Sequence, residues 1–139
     1  MNAFKGGCQC GAIRFEVNSD PVAAGACYCR DCQYASGGGP AYAISLPRAG
    51  VTLTQGTPRV YWSAANSGAR VARHFCGDCG TPLFAENAAY PEVFSIKAGS
   101  LDDPSRFVLG GSIWVSSAQP WHLIDPHAVR FDKNPWPGG

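Results

Sequence analysis

The chain has 139 residues, a mass of 14.7 kDa, a formal net charge of +1 and a pI near 7.6. That length suits one domain with a real core and is too short for two comfortable ones. The eleven basic residues are scattered rather than gathered into a stripe, and no apolar run approaches a membrane span, so neither nucleic acid nor a membrane is the expected partner and a soluble, cytoplasmic protein is.

Met1-Asn2-Ala3-Phe4-Lys5 leads directly into Cys8-Gln9-Cys10-Gly11, with no apolar leader before it. In Cys8-Gln9-Cys10 the side chains at i and i+2 share one face of an extended segment, and Gly11 is free to bend the chain afterwards. Ile13, Phe15 and Val17 then alternate with Arg14 and Glu16, the period of a half-buried strand. The run Cys27-Tyr28-Cys29-Arg30-Asp31-Cys32 follows, with a short helical turn expected after Asp31, and then Gly37-Gly38-Gly39. Further strands are expected over 41–46, 51–54, 59–63, 70–75, 82–85, 93–98 and 111–115, with turns at 47–50 and 55–58. Cys76-Gly77-Asp78-Cys79-Gly80 lies between two of these strands. Ser100 is placed to cap a helical turn over 100–104. Seventeen glycines and eleven prolines punctuate short segments, and no long helical period is present, so the fold class is mainly β. The expected layout is a single zinc-binding domain over 1–139, with its core at about 6–125 and a C-terminal tail at 126–139.

The seven cysteines divide into a set of four and a set of three. A Cys-x-x-Cys-Gly knuckle turns both thiolates toward one ion at about 2.3 Å, and the glycine after it can take the left-handed conformation that finishes the turn. Cys76 and Cys79 fit this, and Cys8 with Cys10 supplies the other half of a four-thiolate structural zinc site. Disulfides are the alternative, but an odd count leaves one thiol over. Cys27, Cys29 and Cys32 match a catalytic zinc, which keeps three protein ligands and leaves the fourth place open. Two other arrangements stay open there: some of these thiols join another grouping, or a distant residue completes a second structural site. The only histidines are His74, His122 and His127, and His74, two residues before Cys76, is expected near the quartet.

The order Cys-x-Cys-Gly, Cys-x-Cys-x-x-Cys, Cys-x-x-Cys-Gly, followed by Gly99-Ser100-Leu101-Asp102-Asp103-Pro104 and a late Trp121, resembles the glutathione-dependent formaldehyde-activating enzymes, a family that also takes in centromere protein V. The resemblance covers roughly residues 6 to 125. It implies a small zinc fold of tented β-sheets related to methionine sulfoxide reductase B. It also implies two zinc ions per chain, a structural one on Cys8, Cys10, Cys76 and Cys79 and a catalytic one on Cys27, Cys29 and Cys32. The implied activity is that of a carbon-sulfur lyase joining glutathione to formaldehyde as S-hydroxymethylglutathione. Family members often carry a histidine where this chain has Ser112, so a role as ligand or acid-base group is expected to be lost or weakened at that position.

Three thiolates on zinc leave a formal charge of −1, which disfavours acidifying water and favours a sulfur ligand in the open place. That suits making or breaking a carbon-sulfur bond. The Gly37-Gly38-Gly39 run could let a peptide-like substrate approach the backbone, or could be a flexible surface loop. Tyr28 and Arg30 could meet a substrate from the ligand loop, or could be solvated. Trp62, Trp114 and Trp121 are expected to fill the core. The competing function is a non-catalytic zinc module for a macromolecular partner, which requires an exposed patch that the sequence does not display. A histidine on the triplet's metal would favour the module; its absence favours the enzyme.

Overall fold

The computed structural model describes residues 3–136. Eleven strands and one short helix run in the order β1 (Phe4–Gly7), β2 (Arg14–Val17), β3 (Ala23–Cys27), α1 (Arg30–Ala35), β4 (Ala41–Pro47), β5 (Val51–Gln55), β6 (Arg59–Ala64), β7 (Arg70–Phe75), β8 (Pro82–Asn87), β9 (Val93–Lys97), β10 (Gly111–Ile113) and β11 (Val129–Arg130). The expected mainly β class is what forms. Each strand anticipated from the sequence is present with its ends moved by no more than two residues, while β1, β3 and β11 are additional.

The strands make two sheets. One has three strands in the order β1-β2-β5. The other has eight in the order β11-β10-β3-β4-β9-β8-β7-β6, antiparallel except where β10 lies parallel to β3 and β11. Strand alternation gives the large sheet two different faces. From one face Ile44, Leu46, Phe84 and Ile96 meet Phe15 and Val17 of the small sheet, and these residues with Leu83, Leu101, Cys8 and Cys76 form the core. Phe15 and Phe84 meet edge to face with ring centroids 5.4 Å apart. The alternation read in Ile13, Phe15 and Val17 is realised, since all three are buried while Arg14 and Glu16 are half-buried. Phe15 is 0% exposed, so Phe15→Ala should cost about 3–5 kcal/mol of stability. Urea denaturation with an unchanged m-value is the measurement, and a loss under about 1 kcal/mol would contradict the two-sheet core.

Close packing explains one glycine directly. A Cβ on Gly6 would lie 2.3 Å from the Ser100 carbonyl oxygen and 2.4 Å from the Phe15 ring. Ser100 itself does not begin a helical turn: its hydroxyl donates to the Lys97 carbonyl at 2.8 Å, and it is Asp103 that caps the following turn through the Ser105 N–H at 3.1 Å. Among the described residues, no helix is long and apolar enough to cross a membrane.

Candidate functional site

The quartet joins the two sheets. Cys8 and Cys10 lie just after β1, Cys76 directly after β7, and Cys79 in the turn leading to β8. Their four ligand atoms lie within 4.8 Å of one another, so the group could hold one metal ion. The local chain follows the expected turn chemistry: Gly11 and Gly80 take φ of 83° and 80°, with the Gly11 N–H donating to the Cys8 carbonyl and the Gly80 N–H to that of Cys76. The Gln9 N–H donates to the Thr81 hydroxyl at 3.1 Å, tying the two loops together. Donors converge on sulfur as thiolate ligands require: Ile13 N–H on Cys8 at 3.2 Å and Asp78 N–H on Cys76 at 3.4 Å. The Thr81 hydroxyl and N–H hold the Cys79 thiol down at about 5. Cys10 is drawn down by the Ala12 N–H but driven up to about 12 by the neighbouring Cys8 and Cys79 sulfurs. Four sulfurs this close cannot all ionise unless a cation neutralises them, which a bound metal ion would do.

The triplet stands at the junction of β3 and α1. Cys27 ends β3, Cys29 caps α1 by accepting the Cys32 N–H at 3.3 Å, and Cys32 sits in the first turn of the helix. Their sulfurs also lie within 4.8 Å of one another. Cys32 is held well below the ordinary thiol value by hydrogen bonds from Cys27 and Cys29, assisted by the charges of Lys97 and Arg73. Cys27 is pushed up by the neighbouring Cys29 and Cys32 sulfurs, with burial adding to the effect. None of the seven cysteines is in a disulfide. Gln33, which the sequence reading passed over, anchors the ligand loop. It is 1% exposed; its Nε2 donates to the carbonyls of Tyr28 and Ser117, and its Oε1 accepts from Arg30 and Gln119.

None of the three histidines joins either cluster. His122 has both ring nitrogens engaged, with the Gln119 N–H at 2.8 Å and the Gly38 carbonyl at 2.7 Å. His74 pairs with Glu86 at 2.6 Å and packs on Phe84 and Phe94. His127 is exposed and engages Asp125 through its backbone.

The triplet opens on a cavity of about 990 Å³. Its floor is the second face of the large sheet, where small side chains stand in register: Ala85 against Ser95, Ser95 against Ser45, Ser45 against Ala23, and Ala43 against Gly25. Small residues at these alternate positions create the space, and this Ala-x-Gly-x-Cys and Ala-x-Ser pattern is the signal that could have located it. Arg73 and Lys97 come from the same floor, and Trp114, Phe131 and Trp136 line it as well.

Several expectations are corrected. Trp62 and Trp121 are 53% and 64% exposed, stacked on Arg70 and His122, and Trp114 is half-buried on the cavity with φ of 56°, so the tryptophans do not fill the core. Gly37 and Gly38 have positive φ and close the end of α1, the Gly38 N–H donating to the Gln33 carbonyl; the glycine run does not line the cavity. Tyr28 is neither solvated nor on the cavity but buried against His122, whereas Arg30 does line it, stacked on Tyr34. Ser112 is 0% exposed, its neighbours Gly111 and Ile113 facing the cavity while its own hydroxyl points behind the wall without a partner. A side chain at position 112 is therefore on the wrong side of β10 to serve the triplet. The stretch expected to be a tail supplies β11 and part of the cavity wall, its last three positions lying outside the described residues.

The model of the glutathione-dependent formaldehyde-activating enzyme family matches residues 3–117. The chain belongs to that family. A Halomonas elongata protein whose name assigns it provisionally to the same family is 34% identical over 104 residues, covering 71% of this chain and 66% of the relative's own length. The match thus spans a little under two thirds of that relative. A crystal structure of a Rhodobacter sphaeroides protein shares the fold, with a TM-score of 0.60 at 19% identity over 91% of this chain and 98% of that one. Of the seven cysteines, all fall inside the family-matched segment, whereas Phe131 and Trp136 on the cavity lie beyond it.

Proposed function

We propose that the protein is a zinc-dependent carbon-sulfur lyase or transferase that acts on a small thiol, glutathione first, and an aldehyde-like electrophile such as formaldehyde. The observation that carries this reading is the three-thiol cluster of Cys27, Cys29 and Cys32, which has no fourth protein ligand among the described residues and lines the cavity. The donor set fits zinc: soft thiolates at Cys-x-Cys-x-x-Cys spacing, one of them acidified, with a backbone N–H on another. When bound, a zinc ion on three thiolates supplies an open coordination place that prefers sulfur. The quartet is the structural zinc site, giving two zinc ions per chain.

The protein's own residues do the rest. β3 and α1 fix the three sulfurs, Gln33 locks that loop to the Ser117–Gln119 segment, and Ile113, Val71 and Val93 give the cavity dry walls. In the reaction the thiol S–H adds across the aldehyde C=O: the C–S bond forms, the carbonyl π bond breaks, and the proton ends on the new hydroxyl. Reversal releases both reactants. A cytoplasmic location, with neither nucleic acid nor membrane as partner, accords with a near-neutral charge and a thiol substrate.

The competing reading, a zinc-stabilised binding module, draws on Tyr61 and Trp62, exposed by 64% and 53% on the edge strand β6. One titration separates the two. With cobalt in place of zinc, glutathione should alter the visible absorption of one site, and Cys29→Ala should remove the change. An unchanged spectrum at millimolar glutathione would sink the enzyme reading and favour the module.

A further inference from the structure

We propose that Arg73 and Lys97 form a carboxylate-binding subsite, the pair of residues that positions the thiol taken by the triplet through its carboxylate. This rests on the thiol-binding reading above and assigns the residues that read the substrate's charge at that site. Three observations carry it. Arg73 and Lys97 rise from β7 and β9 on the face that floors the cavity, the same face on which Cys27 ends β3. Neither has an acidic partner: Arg73 Nη1 donates to the Ser63 hydroxyl at 2.7 Å, its Nε is buried with no hydrogen bond, and Lys97 Nζ makes no hydrogen bond or ion pair among the described residues. The acids that line the cavity are placed elsewhere, since Glu86 is taken by Arg48 and His74 and Asp31 is exposed on α1.

Burial holds the Lys97 ammonium below the usual lysine range, the Cys32 sulfur opposes this and the Arg73 charge adds to it, so two cations on this face cost free energy unless an anion joins them. A zinc ion on three thiolates leaves only one negative charge, spread over the cluster, against two positive ones. A positive surplus therefore remains, and Arg73 Nε remains a donor without an acceptor. An incoming carboxylate supplies both the charge and the acceptor, and a guanidinium is the side chain best shaped to receive it. A neutral thiol supplies neither. The cavity then discriminates by leaving its own polar groups unpaired when the carboxylate is absent.

S-methylglutathione isolates this subsite, because its blocked sulfur keeps both carboxylates but offers no thiol. By calorimetry on the zinc-loaded protein, Arg73→Met and Lys97→Met should each weaken its binding at least tenfold, with zinc content unchanged and Arg73→Lys recovering part of the loss. In parallel, 2-mercaptoethanol should change the cobalt spectrum equally in wild type and both variants. Unaltered S-methylglutathione affinity in both variants, or no binding by wild type at millimolar ligand, overturns the subsite. So does loss of one zinc equivalent from a folded variant, since the two charges would then serve the thiolates. Failure of 2-mercaptoethanol on wild-type protein instead strikes the thiol-binding reading, leaving the calorimetric arm to judge the subsite. If Arg73→Met does not fold, Lys97→Met and Arg73→Lys carry the comparison.

Discussion

Cys76→Ala should abolish the folded state at room temperature, whereas Cys32→Ala should leave a cooperative thermal transition. The asymmetry follows from where the two clusters sit. Cys76 is 1% exposed, belongs to the core with Cys8, and stands where the loop after β1 of the small sheet meets the β7–β8 turn of the large one. A structural zinc on four thiolates is worth about 10–16 kcal/mol in small metal-binding folds. That equals or exceeds the roughly 5–15 kcal/mol by which a whole domain is stable. Cys32 lies on the cavity side of the large sheet, away from the core cluster, and its removal costs an ion that three ligands hold. Circular dichroism melts of the purified variants are the measurement, with elemental analysis returning close to two zinc ions for wild type. A Cys76→Ala protein that melts like wild type would contradict the quartet's role. Chelator titration gives the complementary reading: one zinc should leave first while the fold survives.

The division of the cysteines was legible because their spacing is a local property that survives any tertiary arrangement, and the structure groups them as four and three, each group able to hold a metal ion. Strands with β-branched or aromatic residues were equally legible, as in Arg70–Phe75, where expected and observed bounds coincide. β3 was not. Its sequence Ala-Ala-Gly-Ala-Cys has no β-branched or aromatic residue, because bulk there would fill the cavity and collide with β10, where a Cβ on Gly25 would lie 2.8 Å from the Gly111 carbonyl oxygen. The site's need for space removed the signal by which strands are recognised. The tryptophans misled for the opposite reason: composition says that aromatics fill small cores, but Phe15, Phe84, Leu83 and Ile96 already do so. Ser112 required the direction of a side chain on β10, and β10 is fixed by parallel pairing with β11 and with β3, which lies far away in sequence. Arg73 and Lys97 looked like ordinary strand residues until the registry placed them on the cavity face.

A chain ending at Ala128 should keep its fold and lose its ligand affinity. Residues 129–133 are tied to the sheet end by β11 pairing with β10, by the Phe131 N–H on the Ser112 carbonyl at 2.9 Å, and by the Val115 and Ser116 N–H groups on the carbonyls of Phe131 and Asp132. Tyr90 donates to the Trp136 carbonyl at 3.2 Å and fastens the far end. Among the described residues none beyond Leu101 belongs to the buried core cluster, and Phe107 is the last to pack against it, so removing this strap should shift the melting temperature by only a few degrees, about 1 kcal/mol or less. The cavity is another matter. Val129, Phe131, Pro135 and Trp136 form one wall, and without them the triplet and its floor face water, which screens the charges that orient an anionic thiol and removes apolar contacts. Affinity for S-methylglutathione should fall at least tenfold, about 1.4 kcal/mol, with zinc content held at two. Equal affinity in the shortened chain would mean that the ligand rests on the family-matched segment alone. A chain that no longer melts cooperatively would mean that β11 belongs to the folding core after all.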